Sequence, residues 1–142
     1  DVLRALYAAL ILYDWINEMP ENLIYEKWRV GIGDLRTLVS NAEWLTYSLS
    51  EIARLIKSKH YENIRNIVER VKYGVKEELL ELTRIKNVGR KRARIMYRYG
   101  IKTIDDILKI GPEGLKRLPG IGEELAKTIY ESALKLKGEN FG

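Results

Sequence analysis

Apolar side chains recur at three- and four-residue intervals through almost the whole chain, and the stretches between proline and glycine follow this helical period rather than strand alternation. The pattern predicts an all-α protein. A first helix is expected over residues 2–17, ending before Met19-Pro20, with Trp15 on the apolar face of Leu12 and Ile16. A short helix follows from Pro20 to Trp28, the proline sitting in a tolerated first turn. After the break at Gly31-Ile32-Gly33, Asp34 or Gly33 is expected to cap one long central helix reaching about Lys57. In it Leu35, Leu38, Ala42, Leu45, Leu49, Ile52, Ala53 and Ile56 form a stripe that should pack inward. A further helix over Tyr61–Tyr73 should bury Ile64, Ile67, Val68 and Val71 and end on Gly74 as a C-cap, with His60 at the surface before it. The composition shifts at 74–76, which divides the chain into a helical domain, 1–74, and a second domain, 75–142.

The second domain contains an internal repeat. Shifting the chain by 33 residues lays Ile85-Lys86-Asn87-Val88-Gly89 over Leu118-Pro119-Gly120-Ile121-Gly122, and Leu82, Ala93, Arg94 and Tyr97 over Leu115, Ala126, Lys127 and Tyr130. Each copy reads as a short helix, a tight glycine hairpin and a longer helix, with residues 103–109 as a connecting helix. A duplicated unit sharing one core explains the spacing.

Charge separates the two halves. The 142 residues carry a net +5, with 25 basic and 20 acidic side chains. Residues 1–75 hold ten of each, so the whole excess lies in residues 76–142. From Arg84 to Arg98 there are seven basic residues and no acidic one, a cationic patch whose natural partner is a polyanion. Composition removes several functions. With no cysteine and a single histidine, thiolate zinc sites, cysteine nucleophiles and serine–histidine chemistry lack their parts. No phosphate loop of the G-x-x-x-x-G-K-[ST] type is present, and no apolar run approaches the roughly 20 residues that cross a bilayer. No catalytic residue and no metal site is assigned, and neither membrane nor secretion is expected. Plentiful Lys, Arg, Glu and Ile without Cys or Gln lean towards an intracellular protein of a hot-living organism.

The unit apolar–x–Gly–(Val/Ile)–Gly opening a helix resembles the helix-hairpin-helix DNA-binding motif, so the second domain is expected to be a tandem of two such motifs. Glycine lets the backbone turn sharply and approach a phosphate, while amide groups at the following helix start point at the anion. The candidate contacts are Asn87, Gly89, Arg90, Lys91, Arg92 and Arg94 in the first copy and Gly120, Gly122 and Lys127 in the second. Asn87 replaces the first glycine of copy one. Copy two has the better hairpin but Glu123 and Glu124 where copy one has Arg90 and Lys91, so the first copy should bind phosphate more strongly. On the long helix Trp44 lies about 135° from the centre of the apolar stripe at 100° per residue. With Tyr47, Arg36 and Arg54 it places aromatics beside cations, the equipment for stacking bases of single-stranded nucleic acid. The bland reading of such a tryptophan is packing against a neighbouring helix or domain. Duplicated hairpins likewise serve as protein-interaction modules recruiting replication or repair factors. A helix-hairpin-helix glycosylase would need an aspartate about one helix after its hairpin, and none follows Gly122.

Four stretches carry a more specific resemblance: Asp14-Trp15-Ile16-Asn17-Glu18, Gly31 to Arg36, Ala42-Glu43-Trp44-Leu45 with Ile52-Ala53, and Val71 to Leu82. Together they resemble the C-terminal region of archaeal Hjm-type superfamily II DNA helicases, relatives of HelQ. The resemblance implies that residues 1–74 are a ratchet-type helical domain whose long helix lies along the translocating single strand, and that residues 75–142 are the terminal helix-hairpin-helix domain. It implies base contacts from Trp44 and Arg36, although Thr37 stands where the family often has a basic residue. Implied partners are single-stranded or forked DNA, the remaining helicase domains, and replication or repair proteins, in the cytoplasm at the nucleoid. ATP and Mg would belong to motor domains absent from this chain, which would be a fragment or an independent protein keeping the DNA-holding end. A monovalent cation between hairpin carbonyls and phosphate is the one ion the resemblance brings to these residues.

Overall fold

The carboxylate of Asp1 accepts a hydrogen bond from the Leu3 amide at 2.9 Å, satisfying a first-turn donor that no helix carbonyl can reach and so opening α1 (Val2–Ile16). The computed structural model describes residues 1–141, with no β-strand among them. It separates into two units, Asp1–Glu77 and Glu78 onward.

In the first unit α1 is followed by α2 (Glu21–Trp28), α3 (Ile32–Leu55) and α4 (Tyr61–Tyr73), in the expected order. Two starts differ from expectation. Pro20 stands outside α2 as its N-cap, and α3 begins at Ile32 with Gly31 as an extended cap. The earlier start places Asp34 within the first turn of α3, where a negative charge complements the helix dipole. The core comprises Ile11, Trp15, Ile24, Leu35, Val39 and Val71. Burying a side chain such as Ile24 contributes about 1.5–3 kcal/mol. Trp15 ties α1 to α4 by donating its indole N–H to the Val71 carbonyl at 2.7 Å. Gly74 closes α4 in the left-handed conformation, φ +66°, with its Cα hydrogen against that ring; a Cβ would collide with it. Residues 75–77 stay with this unit. Arg70 donates to the Val75 carbonyl at 3.0 Å, Lys76 N–H to the Glu18 carboxylate at 2.9 Å, and Asn66 to Glu77 at 3.0 Å.

The long helix corrects the expectation that its whole apolar stripe packs inward. Leu35 and Ala53 are buried and Leu38 and Ala42 half-buried, but Leu45, Leu49, Ile52 and Ile56 are 51–71% exposed. The face that α4 covers instead runs through Val39, Thr46, Ser50 and Ala53, turned by roughly 90° from the stripe at 100° per residue. Small side chains there admit close approach of α4. The hydroxyls they bring are satisfied locally, Thr46 donating to the Ala42 carbonyl at 2.7 Å and Ser50 to the Tyr47 carbonyl at 2.6 Å. On α4, Val68 and Val71 are buried and Ile64 half-buried, whereas Ile67 is 42% exposed, against expectation.

The second unit comprises α5 (Leu80–Thr83), α6 (Arg90–Arg98), α7 (Ile104–Leu115) and α8 (Glu123–Phe141). Leu79, Leu82, Met96, Ile107, Leu115 and Ile129 are fully buried at its centre. Thr103 and Asp106 form a capping box at the start of α7. The amide of Lys102 is the main reason that the Asp106 carboxyl is held below its ordinary pKa, with the Thr103 amide and hydroxyl adding to it against the cost of burial. α7 is interrupted at Gly111, φ +67°, because Pro112 bars its predecessor from helical geometry and glycine tolerates the alternative.

Candidate nucleic-acid interface

The repeat is reproduced bond by bond. In copy one the amides of Ile85, Val88 and Ala93 donate to the carbonyls of Leu82, Ile85 and Gly89 at 3.1, 3.1 and 2.9 Å. In copy two Leu118, Ile121 and Ala126 donate to Leu115, Leu118 and Gly122 at 3.1, 3.2 and 2.9 Å. Val88 and Ile121 plug their hairpins into the core, 3% and 4% exposed. Asn87 and Gly120 take the left-handed turn at φ +68° and +76°. Asparagine is among the few other residues that visit this region readily, which explains its substitution in copy one.

The two glycine jobs fall to different positions. Gly120 turns the chain, whereas Gly89 and Gly122 have no positive φ, and a Cβ added at either would meet nothing within 4 Å. Nothing among the described residues demands glycine there. Each sits before a helix whose first-turn amides have no carbonyl within their own helix to reach, and a bare Cα there leaves room for a phosphate to approach the helix start closely.

Around this shared frame the side chains differ. Lys91 and Arg92 are exposed and Arg90 half-buried at the start of α6, and Arg92 donates back to the Asn87 carbonyl at 3.0 Å, bracing the hairpin. Arg94 is not a free phosphate ligand: it is half-buried, paired with Glu78 at 2.6 Å, and stacks over Tyr97, whose ring also receives Lys102 at 5.0 Å. The sequence patch hid this because Glu78 lies outside it. In copy two Glu123 and Glu124 open α8, and Lys127 is exposed one turn on. Just upstream Lys116 pairs with Glu113 at 2.8 Å. The hydrogen bond and charge of each partner raise the lysine pKa and lower that of the glutamate.

In the first unit Arg36 and Trp44 both lie exposed on α3, Trp44 at 68%. They are roughly 12 Å apart along the axis and roughly 80° apart around it at ideal helix geometry. Trp15 and Trp28 are structural, Trp28 donating its indole N–H to Asp14 at 2.8 Å and meeting Tyr7 edge to face. His60 occupies the N-cap of α4, exposed and without a side-chain capping bond. A feature the sequence reading missed is an open groove of about 500 Å³ beside Trp44, walled by α3 and α4. Its α4 wall carries no aromatic or glycine signal, so only the packing of the two helices reveals it. No helix among the described residues is long and apolar enough to cross a membrane.

Comparisons with known proteins match these two units separately. Residues 1–74 match the family model for archaeal helicase domain 4, and residues 79–135 match that for a SAM-like helix-hairpin-helix tandem. The chain is 42% identical over 124 residues to the ATP-dependent DNA helicase Hel308 of Thermococcus kodakarensis, covering 86% of this chain and 11% of that protein. It is 46% identical over 121 residues to Hel308 of Methanococcus vannielii, covering 83% and 16%. With Hel308 of Aeropyrum pernix the identity is 43% over 133 residues, covering 92% and 18%. The chain thus spans less than a fifth of the length of these relatives.

Proposed function

Because this chain belongs to the archaeal helicase family through its domain 4, we propose that it is a non-catalytic, sequence-independent DNA-binding region of an ATP-dependent 3′-to-5′ DNA helicase acting on forked or recombining DNA. The observation that carries this reading is the pair of glycines, Gly89 and Gly122, kept bare before helix N-termini although no described residue lies within 4 Å of where a Cβ would stand. Arg90, Lys91 and Arg92 supply the counter-charge at the first of them. In this reading Asn87 and Gly120 shape the hairpins, Lys127 supports the second, and Arg94 acts behind them, since phosphate must compete with Glu78 for it. Arg36 and Trp44 guide a single strand along α3, Trp44 by stacking on a base. ATP hydrolysis belongs to the part of the relatives' longer chain that this one does not span.

The exposed stripe Leu45, Leu49, Ile52 and Ile56 supports a protein contact as well. We assign it to the remaining domains of the helicase, since relatives of this family carry more than four-fifths of their length beyond the matched region.

The test is a fluorescence-anisotropy titration of the chain with single-stranded, duplex and forked DNA, without ATP, between about 50 and 200 mM salt. Binding to all three with a log–log salt slope of about −0.7 to −0.9 per phosphate contact is expected. Absent or salt-independent binding overturns the reading.

A further inference from the structure

The α3–α4 groove brings together side chains that neither helix displays as a set in the sequence. From α3, Trp44 and Tyr47 bring two rings that are 68% and 47% exposed. From α4, Arg65 and Lys72 bring two cations on the same wall, at i and i+7 of one helix face. Val68, 3% exposed, forms the floor. The remaining polar wall includes the carboxylates of Glu43 and Glu69. An apolar floor, exposed rings on one side and cations on the other match the three parts of a nucleotide better than those of an anionic peptide. A peptide backbone would leave the rings without a flat partner.

We propose that this groove is a nucleotide subsite for single-stranded DNA, with the base against Trp44 and Tyr47 and its phosphate held by Arg65 and Lys72. The inference rests on the reading that α3 guides a single strand and adds α4 as the second wall of the path. Glu43, on the wall of the rings, can accept hydrogen bonds from base N–H groups, whereas Glu69 stands between the two cations on α4 and is the charge a phosphate has to displace from Arg65. Arg65 is available to a phosphate at small cost: its pair with Glu69 is 3.7 Å long and more than a third exposed on both sides, and such pairs contribute little. Lys72 is exposed and lies 5.3 Å over the Tyr73 ring, a cation–π contact that contributes only about 0.5–1 kcal/mol at an exposed site and so competes weakly with a phosphate.

Stacking and phosphate contact have different signatures, so one probe separates them. The probe is an oligothymidine of about 15 nucleotides, titrated by anisotropy at several salt concentrations. Arg65→Ala with Lys72→Ala should lower the magnitude of the salt slope by about 0.7, the share of the one single-strand phosphate that the two cations hold. Trp44→Ala should weaken binding by about tenfold and leave the slope unchanged. Lys57→Ala with Lys59→Ala removes the same charge from exposed positions outside the groove and serves as the control. If the Arg65/Lys72 pair changes slope and affinity no more than the Lys57/Lys59 pair while Trp44→Ala still weakens binding, the groove is not the subsite and the reading of α3 stands. If Trp44→Ala also has no effect, that reading falls with it.

Discussion

The two hairpins share a backbone to within 0.1 Å in three successive hydrogen bonds, yet the helices that follow them begin with opposite charge. α6 opens on Arg90-Lys91-Arg92 and has no acidic residue in its first turn; α8 opens on Glu123-Glu124. The difference has a thermodynamic direction. Acidic groups at a helix N-terminus stabilise it by about 0.3–1 kcal/mol each, and cations there oppose the dipole by a similar amount. The second hairpin is therefore charged as a helix start should be for folding, and the first against it. What the frame needs is apolar plugs at Val88 and Ile121 and a residue tolerant of the left-handed turn, and both copies have these. Charge is left over to be set by something else. A helix start that gives up dipole stabilisation to gather cations is charged as an anion-binding site would be, and the one at copy two is not.

Breaking the first hairpin electrically should give the largest effect. Each phosphate contact with a slope near 0.8 strengthens binding by roughly sixfold on going from 1 M to 0.1 M salt. Arg90→Glu with Lys91→Glu should therefore weaken duplex binding by roughly fortyfold at about 0.1 M salt. Lys116→Glu with Lys127→Glu, an equal change in charge near the second hairpin, should cost only a few-fold, since Lys116 is already engaged by Glu113. Anisotropy titrations of both double variants make the comparison, and equal losses would show that the hairpins are used alike.

That asymmetry in charge was legible in the sequence, and so were the helix order, the 33-residue repeat and the exposure of Trp44, because each rests on local residue type or on period. The packed face of α3 was not. Apolar periodicity marks where hydrophobic side chains lie but not which neighbour covers them, and α4 chose the small-residue track through Thr46, Ser50 and Ala53 over the bulkier stripe. The pairing of Arg94 was hidden for a related reason: its partner Glu78 lies outside the basic run, and the ion pair exists only once α6 is folded against the start of its unit. The separate jobs of the paired glycines were equally hidden, since sequence shows two glycines per hairpin and not which one has φ above zero.

Recharging the second hairpin should give a smaller effect of opposite sign. Glu123→Lys with Glu124→Lys makes the start of α8 resemble that of α6, and affinity for duplex should rise about fivefold, roughly the gain of one phosphate contact. The same change removes two favourable dipole interactions and should destabilise the chain by about 1–2 kcal/mol. Thermal unfolding and anisotropy on one sample read both. A gain in affinity without loss of stability would mean that the charge on α8 was not placed for folding.

The smallest effect, and the most direct comparison of the two backbones, comes from Gly89→Ala against Gly122→Ala. Neither position has a positive φ or a neighbour within 4 Å of a new Cβ, so folding has no steric objection to either methyl. Alanine is a poorer N-cap than glycine by up to about 1 kcal/mol, and its restricted unfolded state returns about 0.4–1 kcal/mol, so stability should stay within about 1 kcal/mol of the parent. Binding is a different matter. A methyl on the bare Cα keeps a phosphate from closing on the first-turn amides, and losing part of a charge-assisted hydrogen bond worth about 1.5–3 kcal/mol should weaken affinity about threefold at Gly89. At Gly122, where Glu123 and Glu124 already discourage the anion, the same methyl should change affinity by less than about twofold. If neither methyl weakens binding while Arg90→Glu with Lys91→Glu does, the cations alone hold the phosphate and the bare glycines need another explanation. If Gly122→Ala costs as much as Gly89→Ala, amide contact outweighs side-chain charge, and the second hairpin grips DNA despite its acids.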